Sequence, residues 1–538
     1  MKNMTLEHIA AACAGELIFP DREPYVNGHM RADYVNLTIA GVVSDNRQIE
    51  RDFLFIPFVG ERVDGHRFIP QAFEMGAACA LSERELPEPA GPYIRVESSE
   101  KALLAIAAFY RRQLDIPIVG IIGSVGKTST KEMVASVLGQ RFPVLKTEGN
   151  FNNEIGMPMT VLKIRKSHRV AVVEMGIDNF GQMSRLAEIA RPDIVVITNI
   201  GEAHLEFMKT RDGILAAKTE VFDFLAEGAR VILNGDDDHL NCVTKAGGAE
   251  IIFYGLGKDA SAAARERDRD KLAEKNREIA DQLARAKVRD GLAEGCYVRS
   301  ASYTDQDRLS RETYRAGKLR PLGMEGIAAS FKTPGGDFEA TIPIPGEHNV
   351  YNALAAAAVG QCLGLNLAEI RAGMEEAATI AGRVHFMQAG GLTLIDDCYN
   401  ANPSSMRASL AVLAKAKGRK VAVLGDMGEL GENAPDMHFA VGRYAGELGI
   451  DLLYTAGPLG QEIATGAESF CAEESGRTSA GKGGKASHRM QVQSYPDRDR
   501  MLEYLKRELR EGDTVLIKAS HFMGFSEVVK SLRDQFGA

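Results

Sequence analysis

Six residues, Gly123-Ser124-Val125-Gly126-Lys127-Thr128, stand between an apolar run, IPIVGII, and a helical pattern, KEMVASVL. Glycines let such a loop wrap closely round phosphates, while backbone N–H groups and the helix N-terminus stabilise their charge. Lys127 adds a point charge, the Thr128 hydroxyl suits Mg²⁺, and Ser129 extends the block of expected ATP contacts from Gly123 onward. The general pattern G-x-x-x-x-G-K-[ST] asks for glycine at 121, where this chain has Ile121. A Gly-rich turn without a nucleotide is the plain alternative. The order strand, loop, helix speaks against it.

Other residue types offer chemistry with weaker signals. Glu174 ends the run RVAVVEMG, where a carboxylate at a strand end suits a hard cation such as Mg²⁺, although alone it reads more readily as a solvated loop residue. His204 in NIGEAHLE reads alone as a structural histidine, and Lys218 in AAKTEVF as a snorkelling surface lysine. The block GEHNVYNALAAAA places His348, Asn349 and Asn352 at a helix start, where asparagines offer paired donors and acceptors but also serve as caps. Arg383 follows Gly382 and brings a cationic fork suited to a γ-phosphate or acyl phosphate. DDCYNANPSS (396–405) supplies Asp397, Asn400 and Asn402, matched to a small zwitterionic acceptor or to turn chemistry before a helix.

The elements that must position these groups form an α/β chain. Its 538 residues exceed one core, since domains hold about 100–200 residues each. Residues 1–113 open with a helix capped by Thr5 and stopped at Gly15, followed by short strands, and read as a small separate α/β domain. From Ile118, apolar strands alternate with helical patterns, which favours a parallel sheet with helices on its faces. A second series, LTLIDD, RKVAVLGD, IDLLYTAG and DTVLIKAS, predicts a Rossmann-like third domain. The expected divisions are 1–113, 114–380 and 381–538. The charged stretch 258–290 reads as a solvated helical insertion, and the small polar stretch 472–488 as a mobile surface loop.

Composition narrows the function classes. The net charge of −9 disfavours nucleic acid as a partner, and no apolar run reaches the ~18 residues of a membrane span. Ile9 to Phe19 contains Glu16, which a signal-peptide core excludes. Seven scattered cysteines without a C-x-x-C pair fit a reducing cytosol, so a cytoplasmic protein is expected.

With these residues in view, the chain resembles the Mur ligase family, whose phosphate loop has the shorter form G-[TS]-x-G-K-[TS]. STKE (129–132), GNFNNEIGMPMT (149–160), EMG, NIGEAHLE, AAKTEVF and VLGDMGELG follow in the family's order, with the resemblance spanning nearly the whole chain apart from the two unusual stretches. It implies an ATP-dependent, Mg²⁺-requiring amide-bond ligase of peptidoglycan precursor synthesis, monomeric, acting on UDP-N-acetylmuramoyl-tripeptide and D-alanyl-D-alanine. It further implies Thr128, Glu174, His204 and Lys218 as metal ligands, the last carbamylated by CO₂, and Lys127, His204, Lys218 and Arg383 as catalytic. His348, Asn349, Asn352 and Asp397 become ATP contacts. Ser44, Asp45, Arg47, Asp64, His66, Asn152, Asn153, Asn400 and Asn402 become substrate contacts. The family's K-G-S-R-x-M segment is met here as Lys518-Ala519-Ser520-His521, and Asn46 and Asp52 depart from the usual residues of the first domain. Neighbouring readings are folylpolyglutamate synthetase, which starts close to its loop, and the Mur member adding the third amino acid, which carries D-N-P-R. A P-loop GTPase needs an N-K-x-D-like base reader where this chain has NGDD (234–237).

Overall fold

The computed structural model describes residues 1–20, 25–26, 29–30, 36–60, 63–256, 296–298, 312–479 and 490–537. The charged stretch 258–290 lies outside them. Three large sheets organise the described chain, of five, nine and six strands. In the first, the order is Glu16–Ile18, Tyr93–Arg95, Cys79–Ser82, Phe53–Phe55 and Gly41–Val43, antiparallel only at the first pair. Thr5 caps the opening helix Leu6–Ala12, as its hydroxyl accepts from the His8 N–H. That helix stops earlier than glycine placement suggested, with Ala14 taking the left-handed turn (φ 51°) and Gly15 pressed against Ile94.

The central sheet carries Val144–Lys146, Val170–Glu174, Ile118–Ile122, Ile194–Ile197, Arg230–Asn234 and Glu250–Leu256 in parallel order. Runs such as Ile194–Ile197 are buried throughout, which suits strands covered on both faces. The far edge departs from the all-parallel expectation, because Glu312–Pro321, Ile327–Thr333 and Gly336–Ile342 form an antiparallel meander. Ile327, Ala329 and Phe331 are buried in alternation with more exposed neighbours, the period of a strand with two different faces, and Pro334-Gly335 closes the hairpin. The third sheet runs His385–Ala389, Leu392–Asp396, Thr514–Lys518, Lys420–Gly425, Leu452–Ala456 and Gln491–Tyr495, antiparallel only at its first pair.

Packing between the units is tighter than a chain of separate domains implies. Helix Ser99–Arg111 joins the first sheet to the central one: Tyr110 donates its hydroxyl to the Ile164 carbonyl (2.6 Å) and Arg111 Nε donates to Ala190 (2.8 Å). A single apolar core runs from Ile9 and Leu103 to Met157 and Leu186. On the opposite face of the central sheet, helix Lys127–Gly139 packs against His348–Cys362, whose Ala353 to Ala358 are fully buried. Small side chains allow that close approach. In the third unit, helix Gly460–Ser479 occupies the first part of the stretch expected to be a loop. The reason is local, since Glu473 there pairs with Arg443 of the neighbouring helix Ala434–Glu447. Residues 480–488 lie outside the described chain. No helix among the described residues is long and apolar enough to cross a membrane.

Candidate active site

The phosphate loop follows directly on strand Ile118–Ile122, so Ile121 is a fully buried strand residue paired with Glu174 and the loop begins at Gly123. Gly123 (φ 149°) cannot carry a side chain, because a Cβ there meets Thr198 Oγ1 at 1.9 Å. Two residues the sequence did not single out clamp the loop. Asn199 accepts from the Val125 N–H and donates to the Val125 carbonyl (both 2.9 Å), and the Thr198 hydroxyl donates to the same carbonyl (2.6 Å). They end strand Ile194–Ile197 some seventy residues away in sequence, so only the fold reveals the pairing. Lys127 donates to the Gly123 carbonyl (2.9 Å) across the loop. Burial lowers its pKa, opposed by Glu174 and assisted by Arg383.

Beside the loop lies a cavity of about 670 Å³ that Thr128, Glu174, Asn152, His204, Arg383 and Asn400 help to line. Glu174 ends strand Val170–Glu174 and is 1% exposed. Its Oε1 accepts from Asn152 (2.7 Å), whereas its Oε2 is buried with no hydrogen-bond partner. An orphaned carboxylate oxygen near a threonine hydroxyl at a phosphate loop is a donor set that fits Mg²⁺, which takes hard oxygens. His204 borders the same cavity on a left-handed turn (φ 63°), and its Nδ1 stands 2.5 Å from Glu429 Oε2. Lys218 lies in helix Arg211–Thr219 rather than on the surface, 2% exposed and with no hydrogen-bond partner among the described residues. Burial holds its amine well below the ordinary lysine range, and the charge of Lys127 adds to the effect.

The third unit reaches this cavity through Arg383, whose guanidinium donates to the Thr128 hydroxyl (3.3 Å) and stacks on Tyr399 (3.9 Å). Tyr399, also missed in the sequence, thereby fixes the fork. Asn402 caps helix Pro403–Leu413 in a capping box, and Asn153 similarly accepts from Ile155 and Gly156 at the start of Gly156–Leu162. Both line the cavity while doing so. Asp397 is engaged internally, accepting from Val384 N–H (3.1 Å), Ser409 (2.5 Å) and the buried Lys518 (2.6 Å).

His348 and Asn349 border a small crevice beside Ser129 at the junction of the second and third units. Their neighbour Asn352 accepts from Thr130 (2.8 Å) and donates to Asn349 (3.0 Å), tying helix His348–Cys362 to the loop helix. In the first unit Asp45 caps a short turn and pairs with Arg47 (2.7 Å), both beside the exposed Ser44. Asp64 caps another turn, and His66 spends both ring nitrogens within the protein: Nδ1 faces Asp64 (2.7 Å) and Nε2 accepts from the Glu83 N–H (3.1 Å). These five residues lie apart from the cavity lining.

Comparison with known proteins agrees with this arrangement. Three family models match in order, the Mur ligase family catalytic domain over 38–111, the Mur ligase middle domain over 121–360 and the Mur ligase glutamate ligase domain over 382–521. A Bacillus subtilis protein named UDP-N-acetylmuramoyl-tripeptide--D-alanyl-D-alanine ligase is 32% identical, over 99% of each chain. One of the same name from Escherichia coli is 30% identical over 95% of this chain and 96% of its own. Among solved structures, MurF from Acinetobacter baumannii superposes with a TM-score of 0.75 at 27% identity, covering 98% of both chains. With its phosphate loop, its three matched domains and these full-length relatives, the chain belongs to the Mur ligase family.

Proposed function

We propose that this chain joins D-alanyl-D-alanine to UDP-N-acetylmuramoyl-tripeptide at the expense of ATP, as a cytoplasmic monomer of peptidoglycan precursor synthesis. The observation that carries the reading is one cavity in which the phosphate loop, Glu174 with its unpartnered Oε2, and Arg383 of the third unit converge. An unactivated carboxylate resists attack by an amine. One oxygen of the tripeptide's terminal carboxylate therefore attacks the γ-phosphorus and ADP leaves. The D-alanyl-D-alanine amine then attacks the acyl carbon, its proton is lost, and phosphate departs with the bond to carbon broken.

Lys127 and the loop N–H groups hold the β- and γ-phosphates, and Arg383, braced on Tyr399, meets the charge that develops during transfer. Mg²⁺ held by Thr128, Glu174, His204 and Lys218 as its carbamate supplies further neutralisation of that charge. Burial disfavours the charged amine at Lys218, and CO₂ reacts with the uncharged amine, which supports the carbamate. His348 and Asn349 bind adenosine beside Ser129 in this reading, with Asn352 and Asp397 holding that region in place. Ser44, Asp45, Arg47, Asp64 and His66 shape the site for the uridine diphosphate end, and Asn152, Asn153, Asn400 and Asn402 the peptide and acceptor. The divisions 1–113, 114–380 and 381–538 then serve sugar nucleotide, ATP and acceptor respectively.

Phosphate release measured with each substrate omitted in turn tests the reaction class. Release is expected only with ATP, Mg²⁺, UDP-tripeptide and D-alanyl-D-alanine together. Steady release without the dipeptide contradicts the ligase reading and indicates an ATPase.

A further inference from the structure

The loop Gly425–Gly431 of the third unit meets the turn that carries His204 in the central one. His204 Nδ1 and Glu429 Oε2 are 2.5 Å apart, and the contact is built from both sides. His204 (φ 63°) and Glu429 (φ 61°) each hold the left-handed backbone conformation that residues other than glycine rarely adopt. Such strain persists where surrounding structure enforces it. Here the Glu206 N–H donates to the Glu429 carbonyl (3.4 Å), and Gly431 lies close enough that a Cβ there stands 3.6 Å from the Glu206 Cα. Behind Glu429 its loop is anchored at two further points: Met427 N–H donates to His438 Nε2 (2.8 Å) and Gly428 N–H to the Ser520 hydroxyl (2.8 Å).

An imidazole that binds a cation through one nitrogen is oriented by the partner of the other, most often a carboxylate. Here Nδ1 faces the Glu429 carboxylate at 2.5 Å, and the ring borders the cavity. We infer that Glu429 is a positioning residue for His204, fixing its ring for the cation, and that docking of the third unit is what brings this carboxylate to the central one. The inference rests on the proposed role of His204 as a metal ligand. It makes cation affinity depend on a side chain that belongs to another sheet and touches neither nucleotide nor peptide. Cation binding and attachment of the third unit are thereby linked, so each favours the other.

The test is Mn²⁺ binding to the full-length enzyme with ADP, read by electron paramagnetic resonance, for wild type, Glu429→Ala, Glu429→Gln, His204→Ala and the double variant Glu429→Ala with His204→Ala. Glu429 is half exposed, so its variants fold. Removing an outer partner of a ligating histidine typically weakens metal binding about 10–100-fold, and Glu429→Ala is expected to fall in that range. Glu429→Gln, which keeps an oxygen beside Nδ1, is expected to stay within a few-fold of wild type. The double variant is expected to bind Mn²⁺ no more weakly than His204→Ala. In turnover, Glu429→Ala should raise the Mg²⁺ concentration needed for half activity while leaving kcat at saturating Mg²⁺ nearly intact. If His204→Ala weakens Mn²⁺ binding but Glu429→Ala does not, the inference is overturned and the metal reading stands. If His204→Ala binds Mn²⁺ as wild type does, the metal reading itself fails.

Discussion

Lys218 shows how one side chain changes meaning with its surroundings. As a residue in AAKTEVF it is an ordinary surface lysine, but the fold removes it from water, gives it no hydrogen-bond partner and sets it near the charge of Lys127. A buried unpaired ammonium costs several kcal/mol, and conversion to a carbamate inverts the charge that makes the site unfavourable. Lys218→Ala is therefore expected to lose ligation by about 10²-fold or more, with small carboxylates such as formate restoring part of it. Normal turnover by Lys218→Ala, or no response to any carboxylate in an inactive but folded variant, contradicts the carbamate. Glu174, ending a strand near the phosphate loop, reads alone more readily as a solvated loop residue than as a ligand, and the fold buries it instead. What the sequence left hidden was that Asn152 would satisfy one oxygen and leave the other bare.

At the scale of elements, the loop from Gly123 to Thr128 works because strand and helix hold its ends and Thr198 and Asn199 hold its middle. Asn199→Ala strips the Val125 N–H of its partner and leaves its carbonyl to Thr198 alone, and leaving such an N–H unsatisfied costs about 1–3 kcal/mol. The expected result is a Kd for ATP raised roughly tenfold or more, measured by calorimetry, with secondary structure unchanged by circular dichroism. ATP affinity equal to wild type contradicts the clamp. Parallel strands and their helices were readable because continuous apolar runs and period-3.6 patterns both mark burial. The hairpin Ile327–Ile342 was not anticipated, although its alternating burial and its Pro334-Gly335 turn were present in the residues. The clamp was beyond sequence reasoning, because its partners are far apart along the chain and lie on adjacent strands. The first part of the loop expected over 472–488 is instead the end of helix Gly460–Ser479, where Glu473 meets Arg443 across a helix pair that small polar composition does not reveal.

At the scale of the molecule, two of the three sheets bring groups to one cavity, the loop and Glu174 from the centre and Arg383 from the third unit, while the residues expected to meet the sugar nucleotide lie apart from it in the first. The contacts Arg383 to Thr128 and Glu429 to His204 cross the same junction, so the third unit borders the phosphate loop. The first unit shares a continuous core with the central one, whereas the third meets the central one through contacts such as these. That division was only half visible in the chain, since the change of strand series near 380 marked a third unit but nothing marked the fusion of the first two. The most direct measurement incubates the purified protein with ATP, Mg²⁺, D-alanyl-D-alanine and UDP-N-acetylmuramoyl-tripeptide carrying either lysine or diaminopimelate, and follows the products by mass. The account predicts UDP-N-acetylmuramoyl-pentapeptide from at least one tripeptide, formed one for one with ADP and phosphate. ADP accumulating with no pentapeptide from either tripeptide would contradict it.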